Sequence, residues 1–240
     1  MPTKIQWCDE TWNVVSGCTK IAAGCVNCYA ERLCYRFWKQ WNREPPPNHF
    51  KVKLHPDRLD QPLKWKKPRR VFVCSMSDLF HEQVQFSYID QVWEVMSRCP
   101  QHTFLVLTKR PNKMEMAVSP GVQMYLPNVQ LGVSISLRQD LEVNLRPLLR
   151  TKASVRFVSF EPLLEDIAML TTSFAERGVG WVICGCESGP GRRPMKLEWA
   201  IDLVRQCNVP VFVKQVEIDG KVSHDPAEWP EELRMREYPD

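Results

Sequence analysis

The chain has 240 residues, is 44% hydrophobic with 9 Trp and 10 Phe, and carries a formal charge of +4. That length and apolar content suffice for one substantial core, and no apolar run approaches the roughly 18 residues of a membrane-spanning helix. No export signal is legible, so the 10 cysteines read as thiols of a reducing cytoplasm and not as a disulfide framework. The charge is local: Lys64-Trp65-Lys66-Lys67-Pro68-Arg69-Arg70 holds five basic residues, and the rest of the chain sums to −1.

In chain order, the first strand is expected at residues 12–15. It runs into Ser16-Gly17-Cys18-Thr19-Lys20-Ile21-Ala22-Ala23-Gly24-Cys25-Val26-Asn27-Cys28. An amphipathic helix is expected over 27–41. Residues 42–70 form a Pro-rich and basic insertion, with Pro45-Pro46-Pro47 at its centre. Strands follow at 71–74, 103–107, 129–133, 155–160, 181–184 and 209–213. Each is a short, β-branched apolar run bounded by polar or turn residues. Helical patterns lie at 87–98, 138–149 and 196–207, the first opened by a capping box from Ser87 to Asp90. Residues 216–240 are an acidic extension, begun by a hairpin turn at Asp219-Gly220.

This alternation predicts an α/β fold, a partial (β/α) barrel of about six or seven mainly parallel strands, forming one domain over 1–240. A doubly wound open sheet competes, although no Gly-rich phosphate loop follows the first strand. Parallel strands collect functional residues at their C-terminal ends. Here those ends carry Cys18; Ser75, Ser77 and Asp78; Lys109 and Arg110; Ser134 and Ser136; Ser159 and Glu161; Cys186 and Glu187; and Lys214 with Gln215.

Three thiolates within eleven residues leave a metal or cluster one coordination position short. Structural zinc closes its shell with four ligands, for which Cys8, Cys34 or a histidine would be the fourth. An iron–sulfur cluster would keep one iron open to an exogenous ligand. A hydrolase or lyase using Glu161, Glu187 and Lys214 without a cluster is a further alternative.

Beyond these residues the chain resembles a family. The stretches are Thr11-Trp12-Asn13 with Gly17-Cys18-Thr19-Lys20, Gly24-Cys25-Val26-Asn27-Cys28-Tyr29-Ala30-Glu31, Ser75-Met76-Ser77-Asp78-Leu79-Phe80-His81, Leu107-Thr108-Lys109-Arg110-Pro111, Phe160-Glu161-Pro162-Leu163-Leu164, Glu187-Ser188-Gly189 and Lys214-Gln215. They resemble the phage and prophage three-Cys-motif proteins, an uncharacterised family regarded as related to radical S-adenosylmethionine (SAM) enzymes. The likeness runs from about Lys4 to the C-terminus. Six residues separate Cys18 from Cys25, where radical SAM enzymes usually have three, and Cys186 stands where the family usually has glycine.

The resemblance implies an enzyme in which Cys18, Cys25 and Cys28 hold a [4Fe–4S] cluster. SAM would bind its open iron and be cleaved to methionine and a 5′-deoxyadenosyl radical. It implies Ser75, Ser77 and Asp78 as acceptors for the SAM ammonium, and Ser134, Glu161 and Glu187 as contacts to ribose or substrate. Lys214 would pair with an acid or hold an anionic substrate. Cys186 is either a neutral small-residue exchange or a redox-active thiol, which would need exposure and thiolate character. Lys64, Trp65, Lys66, Lys67, Arg69 and Arg70 would hold a nucleic acid by phosphate neutralisation and stacking, or form an ordinary solvated loop. A nucleic acid or nucleotide substrate and an electron donor such as flavodoxin or ferredoxin complete the expectation. It places the protein in the cytoplasm of a bacterial host or phage-infected cell, with no membrane partner.

Overall fold

Strands rich in Val, Ile and Phe, apolar on both faces, can bury both sides of a sheet. In the computed structural model, which describes residues 3, 5–119, 125–171 and 173–239, they do so in an eight-stranded sheet. Its strands are β1 (Glu10–Trp12), β4 (Arg70–Val73), β5 (Thr103–Thr108), β6 (Val129–Ser134), β7 (Arg156–Phe160), β8 (Trp181–Gly185), β9 (Val211–Ile218) and β10 (Lys221–Ser223), side by side in that order. The first seven are parallel and β10 pairs antiparallel with β9. Strand order never reverses, so the sheet has no switch point and the doubly wound alternative falls. The result is a curled half-barrel, as the expected fold class requires. Lys4, where the family likeness begins, lies outside the described residues.

Period-2 alternation sorts the strand side chains between two layers. Val71, Val73, Phe104, Val106, Val158, Phe160, Val182, Val211 and Val213 pack with the helices on the convex face. Those helices include α2 (Phe86–Ser97), α4 (Arg138–Arg150) and α5 (Leu197–Gln206). The intervening Phe72, Leu105, Phe157, Trp181, Ile183 and Phe212 turn to the concave face, where Trp7 and Cys8 join them. A ring of aromatic contacts, Trp7 with Phe72 and with Trp181, and Trp181 with Phe157, fills this interior.

Several boundaries differ from expectation. The strand expected at 12–15 is split. Only β1 joins the main sheet, while β2 (Val15–Ser16) pairs antiparallel with β3 (Lys53–Leu54). Asn13 marks the break: its side-chain oxygen accepts from the Ser75 hydroxyl at 3.1 Å and the Met76 N–H at 3.0 Å. The helix at 27–41 contracts to α1 (Tyr29–Phe37). Helix α2 starts at Phe86 with Gln85 at its cap and no side-chain cap bond, so Ser87 lies inside the helix and the expected capping box does not form. The unforeseen α3 (Pro111–Val118) starts with proline in its first turn, where the missing N–H costs nothing. Strand β9 runs past Lys214 and Gln215 to Ile218, then turns through Asp219 (φ 48°) and Gly220 (φ 70°) as the hairpin expectation requires. Among the described residues, no helix is long and apolar enough to cross a membrane.

Candidate metal centre

A parallel sheet delivers the segments after its strands to one rim. There Gly17 forms a parallel bridge with Ser77, so the chain leaving β2 runs beside the chain leaving β4. Gly17 has φ +82°, and a Cβ there would strike the Lys51 carbonyl. Only glycine makes this turn without strain. It opens the loop that carries all three motif cysteines.

That loop lies across the rim. Cys18 donates its N–H to the Phe50 carbonyl at 3.0 Å. Cys25 ends a 3-10 turn (Ala23–Cys25), and Cys28 occupies the cap position of α1. All three thiols are free and half-buried. A Cβ on Gly24 would collide with the Ser136 hydroxyl and sit 3.2 Å from Pro162, so the loop passes over the ends of β6 and β7 with no room for a side chain. Among the described residues, no three His, Cys, Asp or Glu side chains are gathered as tightly as a bound metal ion would need.

Buried polar clamps hold the loop from two sides. On the first, Asp78 is 5% exposed and accepts from the Thr108 hydroxyl at 2.7 Å, the Lys109 N–H at 3.0 Å and the Phe80 N–H at 3.0 Å. Arg110 lies 3.4 Å from Asp78, donates its Nε to Glu82 at 2.8 Å, and gives Nη2 to the Thr19 carbonyl and hydroxyl at 3.1 and 2.9 Å. Its Nη1 donates to Cys18 Sγ at 3.4 Å. Burial pushes the Cys18 thiol up to about 11, against the opposing pull of the Arg110 charge.

On the second side, Glu187 accepts from Asn27 at 2.8 Å and from the Arg193 N–H at 2.8 Å, and forms an ion pair with the Arg193 guanidinium. Burial opposes its ionisation, but the bonds from Arg193 and Asn27 prevail and hold the carboxyl below its usual range. Arg193 also donates to the Ala23 carbonyl at 2.9 Å, and Arg32 of α1 donates to the carbonyls of Ser188 and Pro190 at 2.6 and 3.0 Å. The segment after β8 is thereby fastened to the cysteine loop on both flanks of Cys25.

Inside the rim, Lys214 of β9 forms an ion pair with Glu161, which follows β7. Tyr29 donates its hydroxyl to the Ser75 carbonyl. Ser134 is 4% exposed on β6, paired in register with Ser159. The Ser159 hydroxyl is buried without a hydrogen-bond partner among the described residues.

The structure thus brings Cys18, Cys25, Cys28, Ser75, Ser77, Asp78, Ser134, Glu161, Glu187 and Lys214 to one rim, in different working states. Asp78 is fully engaged: its oxygens already accept from Thr108, two backbone N–H groups and Arg110, which fills the capacity of a carboxylate. Ser77 donates to the Gly17 carbonyl at 2.5 Å. Cys186 is 1% exposed in the main core, and burial pushes its thiol up to about 12, opposite to the exposure and thiolate character a redox role requires.

The basic segment lies elsewhere. It precedes β4 and so lies at the N-terminal end of the sheet, away from the rim. Trp65 packs against the core, Arg69 pairs with Glu10 at 2.9 Å, and Arg70 pairs with Asp9 and stacks on Tyr238 at 3.8 Å. Lys64, Lys66 and Lys67 are exposed.

Asn13, Asn27, Tyr29 and Arg193 were not expected at the site. Asn27 had a signal in its place between two cysteines; Arg193 had none, since its partners lie far from it in sequence. An open cleft of about 1140 Å³ flanks the outer side of the cysteine loop, between Lys20, Ile21 and Val26 and the faces of α3 and α4. Glu161, Glu187 and Lys214 do not line it.

A solved structure of spore photoproduct lyase in complex with dinucleoside spore photoproduct has a similar fold, with a TM-score of 0.50 and 10% sequence identity over 86% of this chain. The chain spans 62% of the lyase's length. No curated protein matches it. A family described as a protein of unknown function, DUF5131, matches residues 2–227, and the chain belongs to that family.

Proposed function

We propose that this chain is a radical SAM enzyme in which Cys18, Cys25 and Cys28 hold a [4Fe–4S] cluster and SAM takes the remaining iron. One observation carries the reading: three free, half-buried thiols share a single loop laid across the C-terminal rim of a parallel half-barrel. The donor set suits the group, because thiolates are the usual ligands of such clusters. When bound, the cluster and SAM supply one-electron cleavage of SAM and a radical that takes hydrogen from a substrate.

The chain's own residues orient and enclose. Arg110 and Thr19 steady the loop at Cys18, and Glu187 with Arg193 steadies it around Cys25 and Cys28. Ser75, Ser77 and Ser134 offer hydroxyl oxygens at the rim for the SAM amino group and ribose. Glu161 and Lys214 form a charged pair that can open toward a substrate carrying either sign. The fold likeness to spore photoproduct lyase, a radical SAM enzyme whose structure carries a dinucleoside, supports a nucleic acid, nucleotide or related small substrate. A flavodoxin or ferredoxin would deliver the electron.

The test is release of 5′-deoxyadenosine from SAM by anaerobically reconstituted protein with dithionite, followed by chromatography. The wild type is expected to release it and Cys25→Ala to lose it at least tenfold. A fully loaded wild type that leaves SAM intact would contradict the reading.

A zinc-stapled binding module is the second reading, favoured by one contact. Cys34 is buried in the small apolar cluster against which Cys18 and Cys28 pack. Zinc would then take Cys34 as the fourth ligand, and Cys34→Ala would abolish zinc binding. The radical SAM reading expects that variant to keep its iron.

A further inference from the structure

This inference rests on the cluster reading and concerns what distinguishes Cys18 from its two partners. Among the described residues, Cys18 is the one motif cysteine whose sulfur accepts from a charged side chain, Arg110 Nη1 at 3.4 Å. The Arg110 side chain is 4% exposed. Its remaining donors are committed: Nε to both Glu82 oxygens at 2.8 and 2.9 Å, and Nη2 to the Thr19 carbonyl and hydroxyl. His81 fixes Thr19 further. The His81 Nδ1 accepts the Gln83 N–H at 3.1 Å, so its Nε2 carries the proton and donates to the Thr19 hydroxyl at 2.9 Å. The planar fork is therefore locked in one orientation with one N–H aimed at sulfur. A lysine ammonium could not satisfy these directions at once.

We propose that Arg110 is a positioning residue that also sets the redox poise of the cluster. Its N–H to the Cys18 sulfur and its buried positive charge raise the reduction potential, and Glu82 moderates the effect. The physics is general. Hydrogen bonds to ligating sulfur and local net charge set cluster potentials, and a buried, water-poor setting strengthens both. Reduction adds negative charge beside Arg110, so the reduced form gains most from the guanidinium. Asp78 and Glu82 both oppose that gain. Asp78 is fixed by its bonds to the β5 end, whereas the Glu82 side chain is 63% exposed, which makes it the charge that can be removed without disturbing the core.

The test is a redox titration of the reconstituted cluster, followed by electron paramagnetic resonance in the absence of SAM. It compares wild type, Arg110→Gln, Arg110→Lys and Glu82→Gln. Arg110→Gln is expected to shift the midpoint to more negative potential and Glu82→Gln to more positive potential, with Arg110→Lys between wild type and Arg110→Gln. A purely structural Arg110 would change iron content and leave the midpoints alone. Equal midpoints in loaded proteins, or a negative shift in Glu82→Gln, would overturn the inference while leaving the cluster reading intact. If Arg110→Gln fails to fold or load, the sign in Glu82→Gln decides. A wild type that binds no cluster would overturn both.

Discussion

Glu187 shows how a residue's chemistry can be legible while its task is not. Its carboxylate stood out as a rim acid suited to ribose or substrate. In the structure it holds Asn27, 160 positions away in sequence, and Arg193. Local patterning cannot reveal so distant a partner. Cys186 is the converse case: its place beside the rim was legible, but its direction into the core was set by the pairing of β8 with β9. The Glu187 clamp has a measurable weight. Its folded pKa lies below the usual 4.5, so its contribution is present above that value and lost as pH falls through the lower folded value. Glu187→Gln is expected to lower unfolding free energy by about 2 kcal/mol at pH 7, since it leaves a charged hydrogen-bond partner unpaired. Urea melts at pH 7 and pH 4 check this. The deficit should shrink at pH 4, and an equal deficit at both would contradict the ion-pair account.

At the scale of elements, the apolar runs were legible because a parallel strand buried on both faces is nearly continuous in Val, Ile and Phe. All seven expected runs contribute to the parallel sheet, with edges displaced where side chains intervene, as Asn13 does after β1. Helix α3 escaped notice because Lys109-Arg110-Pro111 reads as a strand-end loop and only eight residues follow the turn. The 42–70 insertion was legible as an excursion but not in its anchoring. His55 donates its N–H to the Val14 carbonyl at 2.8 Å, and its ring bonds the Ser16 hydroxyl at 2.7 Å, which also accepts from Arg43 at 2.6 Å. Burial, then the nearby Arg58 charge, lowers the His55 pKa from 6.5 to about 4. Its neutral form is therefore worth stability that is fully present above pH 6.5 and declines as pH falls toward 4. Urea midpoints measured from pH 7.5 to pH 5 should fall in the wild type and flatten in His55→Gln. Parallel slopes would show that His55 is not the group responsible.

Across the whole molecule, two cores share one sheet. The convex core carries the helices, and the concave core is an aromatic plug beneath the rim. Trp181 sits at the centre of that plug, fully buried, with its indole N–H donated to the Glu237 carbonyl at 2.9 Å. Trp181→Ala is expected to cost about 3–5 kcal/mol, the usual range for emptying a large aromatic site, read from urea unfolding followed by circular dichroism. A loss below about 1 kcal/mol, no more than an ordinary surface change, would show that the concave face does not support the fold.

The proposed chemistry requires an iron–sulfur cluster on the cysteine loop. The most direct measurement is iron, acid-labile sulfide and zinc content, with an optical spectrum, after anaerobic reconstitution of the wild type and of a Cys18→Ala, Cys25→Ala, Cys28→Ala triple variant. About four iron and four sulfide per chain are expected, with a band at about 400 nm from sulfur-to-iron charge transfer, both lost in the variant. One zinc per chain that persists through iron reconstitution, with no such band, would contradict it.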